Sequence, residues 1–253
     1  MVRKIIISGC NGHMGRVVES ICAADPEVTV VAGFDVNQAS RDYPVYVSPA
    51  NFTGEADAII DFSSPAALEG LLSFAVERKV PLVLATTGYS PEQLEQIQEA
   101  SKSVAIFRSA NMSLGINVLL ELVKKASAVL GDSYDIEIVE KHHNRKVDAP
   151  SGTALMIADA AASTLNFEPE YVYERHSVRQ SRDKKEIGIS AMRGGTIVGV
   201  HEIMFAGRDE VIEIKHTAMS REIFANGAVK AAKFLAEVTA PGMYDMSMLV
   251  ERK

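Results

Sequence analysis

Lys4-Ile-Ile-Ile-Ser-Gly-Cys-Asn-Gly-His-Met-Gly15 passes from an apolar β-branched run through a glycine-rich loop into a helical pattern that continues from Met14 to Ala24. A strand, a G-x-x-G-x-x-G loop and a helix in that order form the context of a dinucleotide site. The glycines let the backbone approach a pyrophosphate, and the helix start offers N–H donors to it. The usual spacing is G-x-G-x-x-G, so the middle glycine is displaced, and an ordinary glycine-rich turn is the alternative. A second strand, Val28-Thr-Val-Val-Ala-Gly-Phe34, ends on Asp35. That is about the ~20-residue interval expected of a carboxylate that binds ribose hydroxyls. A carboxylate there repels a 2′-phosphate, and Arg41 is the only nearby compensation. The reading is therefore NADH as the preferred donor, with use of NADPH left open.

Outward from this loop, Ala56–Asp61, Pro65–Lys79, Pro81–Thr86, Pro91–Ser101 and Val104–Arg108 continue an alternation of short apolar runs with helical patterns. Such alternation predicts βαβ units and a parallel sheet. Asp61-Phe-Ser-Ser-Pro65 and Ala85-Thr-Thr-Gly88 each close a predicted strand at its carboxyl end, where doubly wound sheets hold ligands. Helix capping ahead of Pro65 is compatible with that role. A helix over Ile116–Leu130 and a strand over Tyr134–Glu140 follow. Three further runs, Ile187–Met192, Ile197–Phe205 and Val211–Thr217, read as an antiparallel meander. Arg221–Val238 is a last helix and Met246–Val250 a short final strand. The expected architecture is α/β: a Rossmann-type doubly wound parallel sheet from residues 1–111 and 221–253, plus an α+β domain from residues 112–220 with a mixed or antiparallel sheet.

The chain has 253 residues and a formal net charge of −7, which argues against a general attraction to nucleic acid. No apolar stretch approaches membrane-spanning length, and the chain opens on a strand with no basic leader, so a cytoplasmic protein is expected. Cys10 and Cys22 have neither disulfide-framework nor zinc spacing.

Glu140-Lys-His-His-Asn-Arg-Lys-Val-Asp-Ala-Pro-Ser-Gly-Thr-Ala154 carries the chemistry. Ser151, Gly152 and Thr153 start a helical pattern whose first N–H groups can face an anion. His142, His143, Arg145 and Lys146 stand just upstream, where they can supply a proton and positive charge. Neighbouring strand residues face opposite ways, so one of the two histidines is expected to project toward the reaction. No HExxH or Cys/His set accompanies them, and no metal is expected. His13, His176, His201 and His216 read as ordinary structural or surface histidines. A different nicotinamide dehydrogenase and a non-catalytic nucleotide sensor are the rival functions.

Several separated motifs together give the chain a resemblance to the 4-hydroxy-tetrahydrodipicolinate reductase (dihydrodipicolinate reductase) family of lysine biosynthesis. They are the G-x-x-G-x-M-G loop, Asp61-Phe62-Ser63, Thr86-Thr87-Gly88, Ala110-Asn111, Ser113, Gly115, Asn117, the 140–154 signature, Arg221 and Phe224-Ala-Asn-Gly-Ala228. The resemblance implies NAD(P)H-dependent reduction of a cyclic dicarboxylate with loss of water, by a homotetramer assembled through the second domain's sheet. It implies that His142 is the general acid, that Lys146 binds a carboxylate and assists protonation, and that His143, Ser151, Gly152 and Thr153 bind substrate. The candidate cofactor residues are Gly9, Asn11, Gly12, His13, Met14, Gly15, Asp35, Phe62, Ser63, Ala85, Thr86, Thr87, Asn111 and Met112. Two positions depart from the family pattern: Ala85 replaces a glycine, and Met112 replaces an aromatic residue.

Overall fold

The computed structural model describes residues 2–251, and the chain divides into two compact units, Met1–Leu114 with Glu222–Lys253, and Gly115–Arg221. The first unit opens with β1 (Arg3–Ser8), α1 (His13–Ala24), β2 (Val28–Phe34) and β3 (Val45–Tyr46). It continues through β4 (Ala58–Asp61), α2 (Leu68–Arg78), β5 (Leu82–Leu84), α3 (Pro91–Ser101) and β6 (Ala105–Arg108). These strands, with the late β12 (Gly242–Tyr244), make a seven-stranded sheet of order β12-β6-β5-β4-β1-β2-β3, and every pairing in it is parallel. The chain leaves β1 in one direction toward β2 and β3, then returns past β1 to β4, so the topological switch point lies between β1 and β4. Both faces of the sheet are covered, and the strands show it. Ile5, Ile7, Ile60, Val83 and Phe107 enter one core with Val18, Cys22, Ala228 and Leu235; Ile6, Ile59, Leu82 and Ile106 enter another with Leu71, Phe74 and Ile97. The period of two within runs that are apolar throughout is what burial on both faces requires.

The second unit holds all but the first residue of α4 (Leu114–Leu130), then β7 (Asp135–His142), α5 (Gly152–Ala162), β8 (Glu170–Val172), β9 (Glu186–Arg193), β10 (Gly199–Ala206) and β11 (Val211–Ala218). Its sheet has the order β11-β10-β7-β9-β8 and is mixed. β10 runs antiparallel to both β7 and β11, whereas β9 runs parallel to β7 and to β8. The 187–217 segment is therefore not a meander, because β7 inserts between β9 and β10 and only β10–β11 is a hairpin. The Arg193-Gly194-Gly195 segment does not close a tight turn but binds the end of β7. Gly194 N–H donates to the His142 carbonyl at 2.9 Å, and Asn144 N–H donates to the Gly195 carbonyl at 3.2 Å. Helices α4 and α5 cover one face, packing Leu119, Val123, Ile157 and Ala161 on Ile136, Ile138, Ile189, Ile203 and Phe205.

After α6 (Glu222–Leu235) the first unit ends on α7 (Met246–Glu251), a helix where the sequence suggested a strand. Asp245 explains it: its side chain accepts the Ser247 N–H at 2.9 Å, the bond of a helix N-cap, and Met246 drops fully into the core. The edge strand lies just before it and pairs with β6. Among the described residues, no helix is long and apolar enough to cross a membrane.

Candidate active site

In the first unit, β1 delivers the glycine loop to the switch point. Gly9 holds φ +77°, and a Cβ there would lie 2.7 Å from the Phe62 carbonyl oxygen; at Gly15 a Cβ would lie 2.1 Å from the Gly9 carbonyl oxygen. Any side chain at either position would push the loop off the sheet or off the helix it starts. Gly12 bonds back to the Gly9 carbonyl at 3.0 Å and is the N-cap of α1, with His13 and Met14 in its first turn. The loop borders a cavity of about 600 Å³ whose walls include Gly9, Asn11, Gly12, Asp35, Phe62 and Ser63. Asp35 is fixed in that wall, since its two oxygens accept the Asn11 and Asn37 backbone N–H groups, each at 2.8 Å. Arg41 is close but engaged: Nε donates to Asn11 Oδ1 at 2.7 Å, and Nη1 pairs with Glu19 at 3.1 Å.

The remaining candidates in this unit stand at neighbouring strand ends. Ala85 and Thr86 are half-buried and Thr87 is exposed just past β5, while Asn111 and Met112 follow β6. Ser63 donates its hydroxyl to the buried Asp61 at 2.5 Å. The Met112 side chain joins the core beside Ala225 and Ala228.

In the second unit, β7 alternates, so Ile136, Ile138, Glu140 and His142 share the face covered by the helices. The two polar members end an apolar row, and neighbouring strands complete a polar cluster around them: Glu140 stands opposite His201, which stands opposite His216. His142 Nδ1 lies 2.6 Å from Glu140 Oε2. Arg193 grips the same carboxylate with both terminal nitrogens, at 2.8 and 2.7 Å, and the Ser151 N–H adds a bond of 3.0 Å. Burial opposes charge on Glu140, yet Arg193, His142 and Ser151 hold its carboxyl below the usual range. Ser151 caps α5 through its hydroxyl, which accepts the Ala154 N–H at 3.1 Å and meets His201 Nε2 at 3.0 Å. Burial, and then the proximity of His142, push His201 down to about 4, so it is neutral near pH 7.

On the loop between β7 and α5, Lys146 pairs with Asp148 at 2.8 Å, and Gly152 opens α5 exposed, with clear space where a side chain would stand. Thr153 follows half-buried. Partial burial and then the charges of Arg145 and Arg221, with His142 and Lys146 behind them, lower the pKa of His143. Arg145, Arg221 and Lys146 thus place several positive charges near His143, the sign of charge that a dianionic ligand requires. His142 and Ser151 thus meet on one carboxylate at the start of α5, with Gly152 and Thr153 in its first turn and His143 and Lys146 on the loop that leads to it. Sequence reading missed Arg193 and gave His201 no part in the site. A signal for His201 was available, since it shares the inward parity of Ile203 and Phe205 on an alternating strand. Among the described residues no group of three or more His, Cys, Asp or Glu side chains is placed to hold a metal ion.

The profile described as dihydrodipicolinate reductase, N-terminus, matches residues 3–112, and its C-terminus counterpart matches residues 115–250. The chain belongs to the dihydrodipicolinate reductase family. A relative from Caldanaerobacter subterraneus subsp. tengcongensis named 4-hydroxy-tetrahydrodipicolinate reductase is 55% identical over the full length of both chains. Another so named, from Clostridium tetani, is 49% identical over 98% of this chain and 96% of its own. The fold is that of a dipicolinate-bound dihydrodipicolinate reductase from Paenisporosarcina sp. TG-14, with a TM-score of 0.81 over 97% of this chain and 98% of that one at 22% identity. A member of the dihydrodipicolinate reductase family with an intact glycine loop is an oxidoreductase that uses a pyridine nucleotide.

Proposed function

We propose that this protein reduces 4-hydroxy-tetrahydrodipicolinate to tetrahydrodipicolinate with loss of water, on the diaminopimelate route to lysine. The observation that carries the reading is the joining of a buried His142, the Lys146 ammonium and the α5 start in one chain with a dinucleotide loop. The glycine cradle at residues 9–15 and the cavity beside Asp35 fit a nicotinamide dinucleotide, because a side chain at Gly9 would collide with the Phe62 backbone and one at Gly15 with the loop's own backbone, so the loop stays bare where a pyrophosphate must approach. When bound, the reduced nicotinamide supplies a hydride. His142 provides the proton that offsets the negative charge developing on the substrate ring, as a positioned general acid does. Lys146 holds one substrate carboxylate and assists protonation. His143 and the N–H groups at Gly152 and Thr153 hold and orient the dianion, at the helix start that Ser151 caps.

NADH is proposed as the preferred donor. Asp35 puts a fixed carboxylate in the cavity wall, and Arg41 is held by Glu19 and Asn11. The enzyme is further proposed to be a homotetramer built on the helix-free face of the five-stranded sheet, where Met192 and Val211 are 55% and 54% exposed. Buried, unpaired Cys10 and Cys22 suit a reducing compartment, in keeping with the proposed cytoplasmic location.

The test is NADH consumption with freshly generated 4-hydroxy-tetrahydrodipicolinate. The unmodified chain should oxidise NADH only when the substrate is present, and His142→Gln should lose turnover while still binding NADH. Undiminished turnover in His142→Gln would remove His142 from the reaction.

A further inference from the structure

Glu140 is the most completely bonded carboxylate near the proposed reaction. It is fully buried, and its two oxygens take His142 Nδ1, both terminal nitrogens of Arg193 and the Ser151 N–H, at 2.6 to 3.0 Å. An ionised carboxylate only accepts hydrogen bonds, so the His142 nitrogen facing it must donate. This fixes the ring: Nδ1 carries the permanent proton, and Nε2 is left to exchange one. Nε2 lies away from Glu140, in the direction of Gly199, where a Cβ would come within 3.2 Å of it. The same carboxylate ties down the first residue of the α5 cap, so one group sets both the acid and the helix start against each other. Arg193 neutralises the buried charge and, through a bond of 2.6 Å to the Asp148 carbonyl, fastens the loop that carries Lys146.

We propose that Glu140, supported by Arg193, is a positioning residue that holds His142 in the Nδ1–H form with Nε2 as its proton-donating atom, and that keeps this atom in register with the α5 start. The proposal rests on the reading of His142 as the acid. The other ionisable groups around His142 and its partner are Lys146, Asp148 and His143 on the loop, Arg193 on β9, His201 on β10 with its ring 5.1 Å away, and His216 on β11. None of them supplies an ionised acceptor to Nδ1.

The test is nitrogen-15 NMR of histidine-labelled protein, at a pH where the His142 ring is neutral and with its signals assigned by their loss in His142→Gln. The wild-type protein should show a protonated Nδ1 and a bare Nε2; the opposite form overturns the proposal without any variant or substrate. Glu140→Gln should convert or mix the tautomers and lower kcat by roughly a hundredfold or more at unchanged NADH affinity, as loss of the orienting carboxylate does in other histidine-dependent sites. Glu140→Asp keeps the charge opposite Arg193 but withdraws it from the ring, and should lower kcat in the same way if Glu140→Gln does not fold. A folded variant of either kind with wild-type kcat contradicts the positioning role. A wild-type protein inactive toward the substrate yet showing the Nδ1–H form would reject the proposed reaction and leave the tautomer assignment standing.

Discussion

Asp35 and Arg41 sit within one hydrogen-bonded network, and the charge fixed in the cavity wall is the negative one. Asp35→Asn should therefore raise the ratio of NADPH to NADH efficiency by at least about tenfold, near 1.4 kcal/mol. Glu19→Ala, which removes the ion pair on Arg41 and leaves only its bond to Asn11, should move it the same way. Steady-state kcat/KM with each cofactor reads both, and unchanged ratios would show that preference is set elsewhere. Lys146 presents a different case, because its proposed role is electrostatic and its loss should leave substrate charge unmatched. Lys146→Ala should cut kcat/KM for the substrate by about a hundredfold or more, with NADH binding intact; near-normal kinetics would exclude it from the mechanism. Asp35 and Lys146 could be singled out as candidates in the sequence because each lies in a compact motif with a chemical reason for its spacing. Arg193 could not. It reaches Glu140 across 53 positions, through a parallel pairing of β9 with β7 that no local pattern announces.

At the scale of elements, the glycine loop and α1 form a unit in which backbone packs directly on backbone. Gly15→Ala would place a methyl 2.1 Å from the Gly9 carbonyl oxygen, so the loop must shift away from the helix. The expected result is destabilisation of about 1–3 kcal/mol together with weakened NADH binding. Urea unfolding and a fluorescence titration with NADH measure the two effects, and a variant unchanged in both would contradict this account of the loop. The parallel sheet could be read from sequence because its strands are apolar on both faces and alternate with helical periods. The mixed sheet hid its order, since the strand-like runs at 187–217 carry their own pattern but not the identity of their neighbours. Gly194 and Gly195 suggested a hairpin, whereas their backbones bind the 142–144 segment of β7 and the loop after it. Met246–Val250 was misread for a related reason: a short apolar run has no decisive period, and the capping bond from Asp245 settles it as helix.

For the whole molecule, burial of the His201 imidazole links stability to pH. Folded His201 stays neutral down to about pH 4, whereas the unfolded side chain takes up a proton below its ordinary value of 6.5. The unfolded state binds more protons between these limits, so this contribution is present above pH 6.5 and is lost as pH falls toward 4, by at most about 1.4 kcal/mol per unit. Urea unfolding at pH 7 and pH 5 should show the loss, and His201→Asn should show a smaller one; equal pH dependence in both would rule out His201 as a source. Assembly is tested by light scattering, which should give four times the 27.4 kDa chain mass. A monomer at enzyme concentrations used in assays would contradict the proposed tetramer. The proposed reaction is tested by measuring NADH consumed and 4-hydroxy-tetrahydrodipicolinate consumed in the same vessel. One mole of NADH should be oxidised per mole of ring substrate lost, with tetrahydrodipicolinate as product. NADH bound but not oxidised in the presence of that substrate would contradict it.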